Sequence, residues 1–161
     1  MADIPRLTTA QWVFERTVAW IAASEIKVGV VVTLDVAMLV GLSAAFNSAP
    51  VKTPWAFLFT AVAAVLLVIA VGCAAAVLFP RLAGPQRSLL FFGRVAQLPA
   101  ADYAERFQEA TEQELLTDWT EQIHRNAQIA AVKHKWVVRA MAWSFAGAVP
   151  WLAAILASVK A

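Results

Sequence analysis

The chain has 161 residues, of which 61% are hydrophobic and 15% charged, with a net charge of +2. So apolar a composition in so short a chain excludes a soluble domain with a solvated surface and implies one small integral membrane protein. The single cysteine, Cys73, excludes an internal disulfide or a thiol-based metal cluster and reads as a small packing residue.

Residues 1–27 carry Asp3, Arg6, Glu15, Arg16, Glu25 and Lys27 and lack a short apolar core with a small-residue cleavage site, so they do not read as a signal peptide. Thr8-Thr9-Ala10-Gln11 fits a capping box opening a helix, and Trp12, Phe14, Val18 and Ile21 give that helix an apolar stripe running on without a breaker. Between Val28 and Phe46 the only charge is Asp35, which predicts a first span over 28–46. Asn47-Ser48-Ala49-Pro50 and Pro54 form a short hairpin between antiparallel neighbours. No charge occurs from Thr53 to Pro80, predicting a second span over 55–79 that Pro80 ends. Ala37, Gly41 and Ala45 in the first span, and Gly72 and Ala76 in the second, place small residues four apart and predict close helix contact.

Residues 81–139 hold fifteen of the 24 charges. Gly84-Pro85 marks a turn, Ser88–Gly93 reads as a short helical or interfacial piece, and Pro99 suits a helix's first turn. Tyr103, Phe107 and Ala110 hold one helical register, whereas Leu116, Trp119, Ile123, Ala127, Ala130, His134 and Val137 hold another. The phase slip between them predicts a break near Thr111–Glu114, followed by a long helix leading into a charge-free third span over 140–159. No internal repeat or low-complexity tract is present.

The placement of lysine and arginine predicts orientation. Eleven basic residues fall in the N-terminal tail and the 81–139 segment, against Lys52 in the hairpin and Lys160 at the C-terminus. The tail and residues 81–139 are therefore expected on the cytoplasmic side, with the hairpin and C-terminus outside. The expected architecture is an all-α membrane protein of three transmembrane helices, whose cytoplasmic extensions form a helical hairpin. Three spans are too few to line a sizeable pore in one protomer, so a homo-oligomer is expected.

Several short elements, in order around the spans, resemble the transmembrane effectors of Pycsar antiphage systems (PycTM). They are Ala23-Ser24-Glu25-Ile26-Lys27, Pro80-Arg81, Ser88-Leu89-Leu90-Phe91-Phe92-Gly93, Asp102-Tyr103, and Gln122-Ile123 through Asn126 and Ile129 to Lys133-His134-Lys135, together covering roughly residues 12–145. Two departures are visible: Glu25 stands where the family usually has Asp, shifted by Ser24, and the usual Lys-Tyr pair is Lys135-Trp136. The resemblance implies an effector of the inner membrane, switched on by cyclic CMP or cyclic UMP from a partner cyclase, which impairs the membrane of the infected cell in abortive infection.

For such a ligand the best candidate face is Gln122, Asn126 and Lys133, within about 40° of one another on a helix, with Arg125 about 60° to the other side. Amides can match a pyrimidine edge and cations a cyclic phosphate, for which a guanidinium fork is better suited than an ammonium. Arg87 and Arg94 can close the site, and Trp119, Trp136 or Tyr103 can stack on the base. These residues also have a plainer reading, since the cations satisfy the orientation rule and the amides can bridge helices.

Within the membrane, Asp35 is expected to act as a gating acid or as a neutral packing acid bonded to a neighbouring helix. Glu25 and Lys27, two residues apart, should find separate partners; Lys27 can pair with an acid of the 102–121 region or reach lipid phosphate. Pro150 frees a carbonyl in the third span and can form a kink or hinge. His124 and His134 are ten apart, and no nucleophile–base set, phosphate loop or dense nucleic-acid patch is present, so neither an enzyme nor a binder of nucleic-acid polymers is expected. The alternative is a membrane adaptor whose cytoplasmic hairpin docks another protein, with a small transporter third.

Overall fold

The computed structural model describes residues 5–79 and 84–159. Among them there are five helices and no strand: α1 (Arg6–Ser48), α2 (Pro54–Leu78), α3 (Phe92–Val95), α4 (Ala100–Glu109) and α5 (Glu112–Val159). Helices α1, α2 and α5 are each long and apolar enough to cross a membrane. At about 1.5 Å per residue α1 is about 65 Å long and α5 about 72 Å, well beyond a hydrocarbon core of about 30 Å, so each must project from the bilayer.

The chain divides into two compact units, one from Met1–Ala23 and Pro80–Val132, the other from Ser24–Phe79 and Lys133–Ala161. In the second, α2 turns Ala63, Leu67, Ala70, Ala74 and Val77 inward at steps of three and four, a continuous seam of mostly small residues. Val28, Ala74, Val77, Val137 and Ala140 form one core cluster, and Leu42, Ala63 and Ala154 another. Lipid is as apolar as these side chains, so close van der Waals approach holds the helices together. Gly147 sets that approach: a Cβ there would lie 3.1 Å from Leu67 Cδ2 and 3.3 Å from Leu66 Cβ. Trp151 packs over Gly41, and its indole N–H donates to the Met38 carbonyl at 2.8 Å.

Thr53 caps α2 by accepting from the Ala56 amide at 3.2 Å, with Pro54 in the first turn, where its missing N–H costs nothing. Beside this hairpin Phe46 and Phe57, and Trp55 and Phe59, lie with ring centroids 6.2 Å apart, and Lys52 sits 4.9 Å over the Phe46 ring. Such an aromatic girdle suits the membrane–water boundary.

In the other unit α1 meets α5 through Phe14 and Trp119, edge to face at 4.9 Å. Thr111 and Glu114 form the capping box that opens α5: the Thr111 amide donates to Glu114 Oε2 at 2.8 Å and the Glu114 amide to Thr111 Oγ1 at 3.2 Å. The bonds that the Glu114 carboxylate accepts, first from the Thr111 amide and then from the Thr111 hydroxyl at 2.8 Å, hold it below its ordinary value. The break expected near Thr111–Glu114 is present, between α4 and α5.

Four local readings are corrected. Thr8 lies inside α1, which begins at Arg6 behind Pro5, and Gln11 bonds to Glu15 rather than closing a box. The buried stripe of α1 runs through Ala10, Thr17 and Val28, while Trp12 and Val18 are exposed, because the seam takes small and β-branched residues that allow close approach. On α5, Ala127 and His134 face outward, and Gln122 and Lys133 take the inward positions. Gly72 is exposed with no neighbour near its Cβ position, so the packing face of α2 is the alanine seam. Pro80, Arg81 and Lys160 lie outside the described residues.

Candidate functional site

The unit of Met1–Ala23 and Pro80–Val132 is organised around a loop that lacks regular structure from Ser88 to Phe91. Its part-buried backbone donors have no helix to satisfy them, and two side chains supply acceptors. Ser88 Oγ accepts from the Leu90 amide at 3.0 Å, the Phe91 amide at 2.8 Å and Gln122 Nε2 at 2.9 Å. Asp118 Oδ2 accepts from the Leu89 and Leu90 amides at 2.7 and 3.2 Å. From the other side the Tyr103 hydroxyl donates to the Leu89 carbonyl at 3.2 Å. Phe91 is wedged between two glycines, since a Cβ on Gly84 or Gly93 would come within 2.5 or 2.7 Å of its ring. The Ser88–Gly93 element is thus a loop pinned to α5, with only its end entering α3, rather than a helical piece.

A cavity of about 640 Å³ opens beside this loop, between the end of α4 and the first turns of α5. Arg87 and Arg106 bring guanidinium groups to it, Glu109, Glu114, Asp118 and Glu121 carboxylates, and Thr117 a hydroxyl. A second cavity of about 620 Å³ is lined by Phe91, Phe92 and Arg94, whose Nη1 donates to Gln97 Oε1 at 3.1 Å.

The predicted residues are distributed as follows. Arg87 is exposed on the first cavity and Arg94 half-buried on the second. Gln122 is buried and committed to Ser88, Asn126 is half-buried, and Arg125 Nη1 donates to Gln128 Oε1 at 3.3 Å. Lys133 belongs to the membrane unit, where its Nζ contacts Glu25 Oε1 and the Val77 carbonyl, both at 2.6 Å. Trp136 packs against the core cluster there, under the Arg139 guanidinium at 4.7 Å. Lys27 is exposed, and Pro150 sits within an α5 helix that runs on past it. Asp35 is 1% exposed and accepts from Ser144 Oγ at 2.8 Å. The structure therefore brings together Glu25 with Lys133, and Asp35 with a neighbouring helix, but gives Gln122 and Lys133 separate partners. Asp118 and Arg106 were not singled out from sequence. The signal for Asp118 was its place one turn before Gln122 on the same face.

Among the described residues no group of three or more His, Cys, Asp or Glu is arranged to hold a metal ion. No curated protein and no solved structure gives a significant match. The sequence profile of the Pycsar effector protein domain, PycTM, matches residues 9–159, which takes in the pinned loop, both cavities and all three apolar helices. The chain belongs to the Pycsar effector family and is a Pycsar-type antiphage effector.

Proposed function

We propose that this effector is switched on by a cyclic pyrimidine nucleotide, cyclic CMP or cyclic UMP, supplied by a partner cyclase, and that it then breaches the inner membrane as a homo-oligomer. The observation that carries the reading is the extent of the family match: one domain covers a polar unit with a ligand-sized cavity and all three apolar helices. About 640 Å³ falls within the usual range for small-molecule sites of roughly 300–1,000 Å³. Arg87 and Arg106 suit a cyclic phosphate, and the carboxylates and hydroxyl of the same lining suit ribose and base donors. The polar unit faces the cytoplasm in this reading, which the placement of basic residues supports. A ligand that prefers a second packing of the helices shifts the population toward it, and the effector needs no catalytic step.

Liposomes carrying the protein and a trapped dye test this reading. Cyclic CMP or cyclic UMP should release dye, and R87A together with R106A should raise the nucleotide concentration needed. Dye retained with both nucleotides would instead favour the adaptor, and solute flux with the dye retained a transporter.

A further inference from the structure

In the membrane unit one ammonium group joins three helices. Lys133 Nζ, on α5, contacts Glu25 Oε1 of α1 and the Val77 carbonyl of α2, each at 2.6 Å. Val77 lies in the last turn of α2, where carbonyls lack intrahelical donors, so the lysine satisfies a group the helix leaves open. The Lys133 side chain is 5% exposed, whereas that of Glu25 is 46% exposed. A buried ammonium is costly without partners, so this arrangement requires the three helices to stay together at one level. Just inside it lies the cluster of Val28, Ala74, Val77, Val137 and Ala140. The chain leaves this unit before Ser24, after Phe79 and before Lys133, and each of the three contact residues lies within two residues of one of those points. Any rearrangement carried along those segments arrives at this contact.

We propose that Lys133 is a clamp that holds the three apolar helices in their closed packing, and that half-exposed Glu25 is its releasable partner. The Glu25 side chain is half-exposed, so the Glu25 bond is the one that can be exchanged while Val77 still holds the lysine. Losing both bonds leaves a buried charge without a partner, which favours a packing in which Lys133 meets water. Only the consequence for the bilayer rests on the membrane-breaching reading above; the clamp itself can be read independently.

Cys73 supplies that reading, as the only cysteine of the chain and a residue packed against the same cluster. A thiol held among apolar side chains reacts slowly with maleimide, and opening that admits water speeds the reaction. In nanodiscs without nucleotide, K133M should label with a water-soluble maleimide about tenfold faster than wild type, because the Val77 carbonyl loses its donor and α5 loses its polar link to α1 and α2. E25A should shift the rate in the same direction by less, because the Val77 bond survives. Liposomes carrying K133M should leak dye without nucleotide. A wild-type labelling rate in folded K133M overturns the proposal, and if K133M does not fold, a wild-type rate in E25A overturns it. Faster labelling without leakage upholds the clamp and counts against the membrane-breaching reading.

Discussion

Replacing Ser88 with alanine should loosen the loop that lines the proposed ligand cavity. Ser88 is buried, and its Oγ accepts from the Leu90 amide, the Phe91 amide and Gln122 Nε2. In S88A the Leu90 amide keeps Asp118 Oδ2 at 3.2 Å, but the other two donors lose their acceptor. A buried donor left unpaired costs about 1–3 kcal/mol, so the pair amounts to about 2–6 kcal/mol, or roughly 30- to 25,000-fold in a local opening equilibrium. Hydrogen–deuterium exchange of the full-length protein in nanodiscs, followed on a peptide containing Leu89–Phe91, reads that equilibrium. Q122L should have a smaller effect, because it removes a donor together with its own need and leaves both amides bonded to Ser88. Exchange in S88A within about twofold of wild type would refute the assignment of Ser88 as the acceptor that holds this loop.

Glu114 should make the start of α5 sensitive to acid. Its folded-state pKa lies below the ordinary 4.5, so its stabilisation is fully present above that value and is lost as pH falls through the lower folded value. The protection factor of the Thr111 amide, taken against its intrinsic exchange rate at each pH, should therefore fall on acidification below the ordinary glutamate value, and E114Q should flatten that dependence. G93A should lower thermal stability by about 1–3 kcal/mol, because its Cβ would meet the Phe91 ring, and F91A in the same chain should recover part of the loss. In the membrane unit G147A should be tolerated after shifts of a few tenths of an ångström, whereas G147L should drive α5 from α2; a melting temperature unchanged in G147L would contradict the close packing against Leu67.

Much of the fold is legible because lipid imposes a simple rule on the sequence. The charge-free runs ending at Pro80 and Val159 specify two spans, and the phase slip after Ala110 specifies the α4–α5 break. The capping box was also written there, as Thr111-x-x-Glu114, while the similar pattern at Thr8 lay two residues inside a helix that Pro5 precedes. Seam positions were harder to read. Large apolar residues such as Trp12 look like core by hydrophobicity, but close helix packing favours Ala10 and Thr17. The site was least legible, because its defining bonds join residues far apart in sequence: Gln122 with Ser88, Asp118 with Leu89, and Lys133 with Glu25. Helical spacing put Gln122 and Lys133 on one face, but it carries no information about which neighbour each meets. Even so, the residues drawn out by family resemblance include both ends of the Glu25–Lys133 pair and both ends of the Ser88–Gln122 bond.

The account depends most on the chain crossing the membrane three times with its polar unit inside the cell. In a Cys73→Ser background, single cysteines placed by Ser48→Cys in the exposed hairpin and by Gln97→Cys on the exposed surface of the polar unit report that topology. A membrane-impermeant maleimide applied to intact spheroplasts should label S48C and spare Q97C until the membrane is permeabilised. Labelling of Q97C in intact spheroplasts would contradict the account, since a nucleotide made in the cytoplasm would then never reach the cavity.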